Sequence, residues 1–445
     1  MQKWMIVYTA RCAALEKLAA VLANYLPYVV PCETAPREGF HTVTLAVDPA
    51  MEGFSIDVTE PGDSQSVTLK AADEANLYYA VSDFAAVYLP YARAAGRHSN
   101  PYYFFDIFGK DPLKPYHVHT KPHIARRGLW LWGYTVYDYR RFIENMAGLK
   151  LNTLILWNDE LPVNIADVIA YGKQFGVKTY LGFAWGWDTS RPKVIDDAYL
   201  MTLSQSILAE YEDKYASLGC DGIYFQSFTE QGEDTIGGRL VAEAVVTLVN
   251  RTAEALLAKH PTLELLFGLH ATSVNTHLDE IAKTDSRVSI IWEDCGAFPY
   301  AYLPEQTKGF EDTVAFQKKL FALNGGAFGA VLKGVTCLNW DTFRHLGGPY
   351  VIGRADKAYI RRRTEEKRET LRYLQALWIK NARFARDMIL PVPHDSLITC
   401  LVEDGMFEEV LDYPTALYAA MLWDPDRPVE DILAETAARP DVDFA

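Results

Sequence analysis

Glu230 closes a strand-like run, residues 221–230 (DGIYFQSFTE), and is the side chain here best placed to move a proton. Residues 223–228 are apolar and aromatic enough for a buried strand, and the chain enters a long amphipathic helix after a loop at 231–238. In an α/β barrel a carboxylate at a strand's end lies on the rim that carries catalysis. Other strand-like runs end in similar chemistry. They supply Tyr134, then Trp157, Asn158 and Asp159, then Trp185 and Trp187, then Gln226. Later runs add His270, then Trp292, Glu293 and Asp294, then Lys333 and Trp340. Tryptophans interleaved with carboxylates, amides and a lysine suit a sugar, because aromatic faces cover a pyranose and polar groups hold its hydroxyls. Two opposed carboxylates supply the acid and the base or nucleophile of glycoside cleavage. Glu230 is the expected general acid, kept protonated by burial among Phe228, Trp185 and neighbouring aromatics. Glu293 or Asp294 is the expected partner, activating water or attacking directly. Some tryptophans, Trp130 and Trp132 especially, are expected to fill the barrel instead, since strand alternation turns them inward.

Seven runs read as the strands that must carry these residues: 128–134, 153–158, 178–184, 223–228, 264–269, 288–292 and 327–332. Helical stretches at 137–149, 165–175, 198–218, 238–259 and 309–324 separate most of them. Such alternation predicts a parallel sheet, and a closed (β/α)8 TIM-type barrel is its commonest form. The eighth strand falls near 336–339 or near 396–401. Residues 1–120 read as a separate α/β auxiliary domain, 121–350 as the barrel and 351–445 as a helical region. That last region includes one long helix at 359–388 and a small cap with helices at 416–423 and 429–437. Within the first, a helix is expected at 13–26 and strands at 42–47, 54–58 and 66–70, and Asp73 is placed to cap the helix that follows. Residues 112–122 hold three prolines and read as a linker. His117, His119 and His123 lie in or beside it without a neighbouring acid or cysteine, so no metal site is expected there.

Composition narrows the function classes. A chain of 445 residues, 49% hydrophobic and 23% charged, is an ordinary globular composition. A formal net charge of −15 argues against a nucleic-acid surface, and no run of 18 apolar residues suggests a membrane span. The six cysteines lack CxxC spacing, which predicts a reduced, cytoplasmic protein. No metal or organic cofactor is implied, and a homodimer is left open.

Five segments resemble the α-glucuronidase family of glycoside hydrolases: Arg127-Gly128, 146–158 (MAGLKLNTLILWN), 175–181 (FGVKTYL), 221–232 and 422–426 (LWDPD). Residues 67–74 (VTLKAADE) and the helix after them resemble the auxiliary domain shared with the β-hexosaminidases. The resemblance covers most of the chain in order. It implies an auxiliary domain, a (β/α)8 barrel with C-terminal helices packed beside it, and Glu230 as general acid. The family's bases lie on later strands, where Glu293 or Asp294 is assigned by strand position alone. Where the family carries a lysine near the uronate carboxylate, this chain has Gln226, and Gln231-Gly-Glu-Asp234 replaces a Gly-Gln-Pro-Gly run. Both departures bear on uronate specificity. No adjacent Asp-Glu pair closes the fourth strand, as substrate-assisted acetamido chemistry would require.

The main expectation is therefore an exo-acting glycosidase in carbohydrate metabolism, with a uronic acid among the candidate terminal sugars. Long loops at 185–197 and 296–308 predict a pocket closed at one end. Lys333 and His270 would face an acidic sugar. A non-catalytic carbohydrate-binding barrel and a β-N-acetylhexosaminidase-like enzyme are alternatives. An aldolase using Lys333 as its Schiff-base amine is a further one.

Overall fold

The computed structural model describes residues 3–8, 12–25, 29–94, 113–133, 136–158, 160–186, 193–230, 232–270, 274–293, 310–323, 328–335, 348–353, 355–402 and 407–444. The expected barrel is present: eight parallel strands close on themselves. In chain order they are Arg126–Trp132, Thr153–Trp157, Lys178–Ala184, Gly222–Gln226, Glu264–Leu269, Val288–Glu293, Phe328–Val335 and Leu397–Val402. The last of these settles the eighth strand in favour of the later candidate. It pairs with the first strand from Leu397 opposite Arg126 to Leu401 opposite Trp130. Closure thus uses a strand from the region that otherwise read as helical, delivered by the helix Arg368–Ile389. That helix and Lys357–Glu366 replace the single long helix expected, with the break at Lys367. Trp378 ties it to the barrel by donating its indole N–H to Gly334 O at 2.7 Å.

The N-terminal region forms a six-stranded sheet in the order Val29–Glu33, Trp4–Val7, His41–Val47, Ser66–Ala71, Phe54–Val58, Tyr116–Thr120. Three of these strands escaped the sequence pattern. Tyr116–Thr120 is an edge strand paired antiparallel with Phe54–Val58, not a linker. The pairing places His117 against Asp57, and His119 Nε2 lies 2.9 Å from Glu52 O. Asp73 caps the helix Glu74–Asp83 as expected, accepting from Asn76 N at 2.8 Å.

A buried polar seam joins sheet, barrel and C-terminal helices. Arg127, at the start of the first barrel strand, donates to Ile124 O, Ala125 O and Lys150 O at 2.6, 2.8 and 2.9 Å. Its guanidinium lies 5.0 Å from the Trp423 ring centre. Lys150, also buried, reaches Asp83 at 2.7 Å. Trp423 in turn donates to Thr120 Oγ1 at 2.7 Å. Trp423 therefore packs between two cations and the edge strand, in the cation–π arrangement that desolvation strengthens.

Asp412 begins the C-terminal helix Tyr413–Trp423 and accepts from Thr415 N at 2.8 Å. Burial pushes its carboxyl up from 3.8 to about 6, although the hydrogen bonds from Thr415 pull the other way. A carboxyl whose folded-state pKa exceeds its unfolded value favours folding fully below that unfolded value. The benefit is lost as pH rises from about 4 through about 6. Above that range an ionised carboxylate is held in the interior. Asp412→Asn keeps a capping acceptor and removes the charge. The variant is expected to gain on the order of 2 kcal/mol at pH 7.5 and nothing at pH 4, read from urea midpoints at the two pH values.

Candidate active site

Strand alternation decides which rim side chains enter the barrel. Trp130, Ile155, Trp157, Tyr180, Tyr224, Leu266, Ile291, Val331, Leu397 and Leu401 form the interior cluster. Two positions further along, the inward face carries Trp132, Gln226, Glu293 and Lys333 at the C-terminal mouth. His270 continues the inward face of the fifth strand.

Glu293 is the centre of this layer. It is 1% exposed, and Tyr224 donates its hydroxyl to Oε1 at 2.6 Å. The Gln226 amide donates to the same oxygen. His270 Nε2 lies 2.6 Å from Oε2. A carboxylate only accepts, so these contacts place the Nε2 proton and the amide N–H of Gln226 toward Glu293. Burial pushes the Glu293 carboxyl up, but the charges of His270 and Lys333 and the hydrogen bonds from His270 and Tyr224 outweigh it and hold it at about 2. The Tyr224 hydroxyl is driven far above its ordinary range by burial and by Glu293, so it stays a donor.

Glu230 sits four residues beyond the fourth strand in the opposite environment. Its side chain is 47% exposed, and Oε2 lies 4.0 Å from His270 Nε2. Two of the aromatics expected to enclose it, Phe228 and Trp185, are instead buried in the layer between barrel and helices. Because both carboxylates approach one imidazole nitrogen, their Oε2 atoms are no further apart than the two distances combined. That limit falls at the lower edge of the ~6.5–9.5 Å carboxyl spacing of inverting glycosidases, leaving room for the ~5–5.5 Å spacing of retaining ones.

Two glycines make this packing possible. A Cβ on Gly268 would meet Glu293 Oε1 and Tyr224 Oη at 2.5 Å, and one on Gly182 would meet the Trp157 ring at 2.7 Å. Glycine inside a strand marks such close approach.

The other expected site residues divide. Trp185 is fully buried and stacks on Phe225 at 3.6 Å and 9°, outside the barrel wall. Trp292 packs edge-on against Phe316 at 5.6 Å, also on the helix side. Both are structural, because adjacent residues of a strand face opposite ways. Trp157 points inward but lies beneath the rim, against Tyr224 at 5.8 Å. Trp130 fills the interior as expected, and Trp132 packs against it. Asn158 is buried at the end of the second strand. His270 lies against Glu293, and the charges of His270 and Lys333 both lower the Glu293 carboxyl. Tyr134, Asp159, Trp187, Asp294 and Trp340 lie outside the described residues, as do most of the two long loops. Tyr224 was missed as a functional side chain, although its offset of two from Gln226 puts both on one face.

Among the described residues no group of three or more His, Cys, Asp or Glu is arranged to hold a metal ion. None of the described helices is long and apolar enough to cross a membrane.

No family model matches the sequence, and no curated protein is significantly similar to it. Solved structures share the fold over the full chain. The GH20 β-N-acetylhexosaminidase of Streptomyces coelicolor A3(2) superposes with a TM-score of 0.55 at 12% identity, covering 100% of this chain and 93% of that one. Streptomyces plicatus N-acetyl-β-hexosaminidase, in complex with Thio-NAglucal, gives 0.55 at 13% identity, covering 100% and 92%. The β-N-acetylhexosaminidase of Bacteroides fragilis NCTC 9343 gives 0.50 at 13% identity, covering 96% and 88%. These neighbours are hexosaminidases and not α-glucuronidases, and the likeness is one of fold.

Proposed function

We propose that the protein is a glycoside hydrolase of hexosaminidase-like architecture that removes a terminal sugar. The observation that carries this reading is the pair Glu230 and Glu293. One carboxyl is exposed at the mouth, the other is buried and held ionised, and both lie on His270. Two carboxyls in contrasting environments are what acid and base assignments on one site require.

Glu230 takes the role of general acid, protonating the glycosidic oxygen from the open side of the pocket. Glu293 supplies the negative charge that meets an oxocarbenium-like transition state from within the barrel, and Tyr224 and Gln226 fix its position. His270, between them, orients the pair. Residues 229–230 are Thr-Glu, so the acetamido-orienting carboxylate of a substrate-assisted mechanism is not supplied next to Glu230. The two-carboxylate route is therefore preferred to the substrate-assisted one.

The test is a panel of aryl glycosides, N-acetylhexosaminides first, in both anomeric forms. Turnover by the wild-type chain supports the reading, with a single monosaccharide as first product from an oligosaccharide. Internal fragments appearing before any monosaccharide contradict terminal action. Tight oligosaccharide binding with no turnover across the panel identifies a binding protein instead.

A further inference from the structure

Lys17 sits where two helices of the N-terminal region, Ala13–Tyr25 and Glu74–Asp83, meet the barrel helix Tyr139–Gly148. That barrel helix leads into the second strand, so the place lies at the end of the barrel opposite the mouth. Two cavities of about 620 and 400 Å³ flank the half-buried side chain. Lys17, Tyr78, Arg141 and Glu144 line both, which makes them two parts of one groove. The amine donates to Ser82 Oγ at 2.8 Å and stands 4.3 Å from the centre of the Tyr78 ring. A Cβ on Gly148 would meet Nζ at 3.7 Å and, beyond its own helix backbone and chain neighbours, no other described atom within 4 Å. Ser82, Tyr78 and Gly148 all line the smaller cavity, so the amine faces its open space.

Such an amine is a nucleophile once neutral. Burial pulls Lys17 down to about 8, with Arg439 and Arg141 adding to the fall and Asp441 and Glu144 opposing it. At pH 7.5 it is neutral on the order of 100-fold more often than an ordinary lysine. Ser82 spends its own proton on Tyr78 O at 2.7 Å, so it offers Lys17 a lone pair that a neutral amine also uses. Desolvation beside other cations is how lysines are prepared for attack on carbonyls. The groove then selects the electrophile. Its lining carries four carboxylates, Glu16, Glu74, Glu144 and Asp441, against Lys17 and Arg141. An acyl phosphate would enter that field as an anion, and carbon dioxide would leave a carbamate anion within it. A neutral aldehyde does neither, and its iminium adduct keeps the positive charge these carboxylates already face. Carboxylates accept hydroxyl protons, while Tyr78, Tyr171 and Phe175 supply aromatic faces. Both cavities lie within the ~300–1,000 Å³ of small-molecule sites.

We propose that Lys17 is a carbonyl-capture site, whose amine condenses with the aldehyde of a small neutral aldose held in this groove. The nitrogen lone pair attacks the aldehyde carbon, and the C–N bond forms as the carbonyl π pair moves to oxygen. The C–O bond then breaks to leave C=N. Both amine protons depart with that oxygen as water, and protonation of the imine gives the iminium. No other reactant is required. The site shares no residue with the Glu230 and Glu293 pair, so it stands or falls apart from the hydrolase reading.

The test treats the full chain with erythrose and cyanoborohydride at pH 7.5 and locates the reduced adducts by peptide mass spectrometry. Lys259, with a side chain 66% exposed, is the reference within the same digest. Lys17 is expected to label roughly 10-fold faster than Lys259 or more, a part of its excess of neutral amine. Erythritol, which has the hydroxyls but no carbonyl, is expected to slow Lys17 and leave Lys259 unchanged. With glyoxylate, an anionic aldehyde, the ratio of the two rates is expected to fall several-fold. Gly148→Ala places a methyl group 3.7 Å from the amine, an ordinary contact, and suits a helix better than glycine. It is expected to slow Lys17 several-fold without lowering the unfolding midpoint. Labelling of Lys17 no faster than Lys259 overturns the capture site. So does a ratio as high with glyoxylate as with erythrose, or an unchanged Lys17 rate in folded Gly148→Ala. Should that variant not fold, the erythritol competition on wild type decides, and absence of protection overturns the proposal.

Discussion

Glu230→Gln is expected to lower kcat by 100-fold or more on an unactivated glycoside and to leave the unfolding midpoint unchanged. A positioned general acid contributes roughly 10²–10⁴-fold, and the amide cannot deliver its proton. The Glu230 side chain is 47% exposed, so its 4.0 Å ion pair with His270 is screened by solvent and contributes little to stability. Glu293→Gln provides the contrast. It should abolish turnover to a similar degree and also destabilise the chain, because His270 and Lys333 lose the buried charge that compensates them. Breaking a buried ion pair from one side costs about 3–5 kcal/mol. The pH dependence of that loss follows from the direction of the Glu293 shift, from 4.5 down to about 2. A depressed carboxyl stabilises the folded state above its unfolded pKa, and the contribution fades as pH falls from about 4.5 toward about 2. The stability gap between wild type and Glu293→Gln should therefore be full at pH 6 and reduced at pH 3, measured by urea denaturation. Wild-type turnover by Glu230→Gln, on a substrate the wild type cleaves, would remove it from the mechanism.

Arg127→Leu is the substitution expected to cost most in stability without touching the mouth of the barrel. The guanidinium, itself buried, is the donor to three backbone carbonyls, of Ile124, Ala125 and Lys150, and it covers the Trp423 ring. Leucine removes the donor to the Ile124 and Lys150 carbonyls, while Ala125 O keeps Asn152 Nδ2, and it removes the cation–π contact, so a loss of about 3–5 kcal/mol is expected. Arg127→Lys should recover only part of it, since an ammonium cannot reproduce a planar fork that serves three acceptors. Because the seam joins the N-terminal sheet, the first barrel strand and the C-terminal helix, its loss should also make unfolding less cooperative. Fluorescence of the tryptophans and far-ultraviolet circular dichroism, followed together in urea, would then give separated midpoints. Coincident midpoints with an unchanged value would show that the seam is not what binds these parts together.

The pattern of apolar runs was enough to determine the barrel. Strands at Lys178–Ala184 and Glu264–Leu269 have the bounds read from sequence, because a buried parallel strand must be apolar on both faces and its ends are marked by turn residues. Hairpin partners and edge strands left weaker marks. Tyr116–Thr120 alternates half-buried and exposed residues between prolines, and only its pairing with Phe54–Val58 makes it a strand. The eighth barrel strand was ambiguous for a similar reason. Two short apolar runs had equal claims, and closure against Arg126–Trp132 chose Leu397–Val402.

At the site, the sequence by itself placed Glu230, Gln226, His270, Glu293 and Lys333 at strand ends. It did not determine which way each end faces. Trp185 and Trp292 turned outward and Gln226 and Glu293 inward, because one residue of register exchanges the two faces of a strand. Nor did it determine which acid is enclosed. Sequence assigned the aromatic enclosure to Glu230, and the fold gave it to Glu293, through Tyr224 beneath it and the space that Gly268 leaves beside it. Burial and charge compensation are properties of neighbours brought together across strands, so the protonation roles of two glutamates arise only when the barrel closes around one of them.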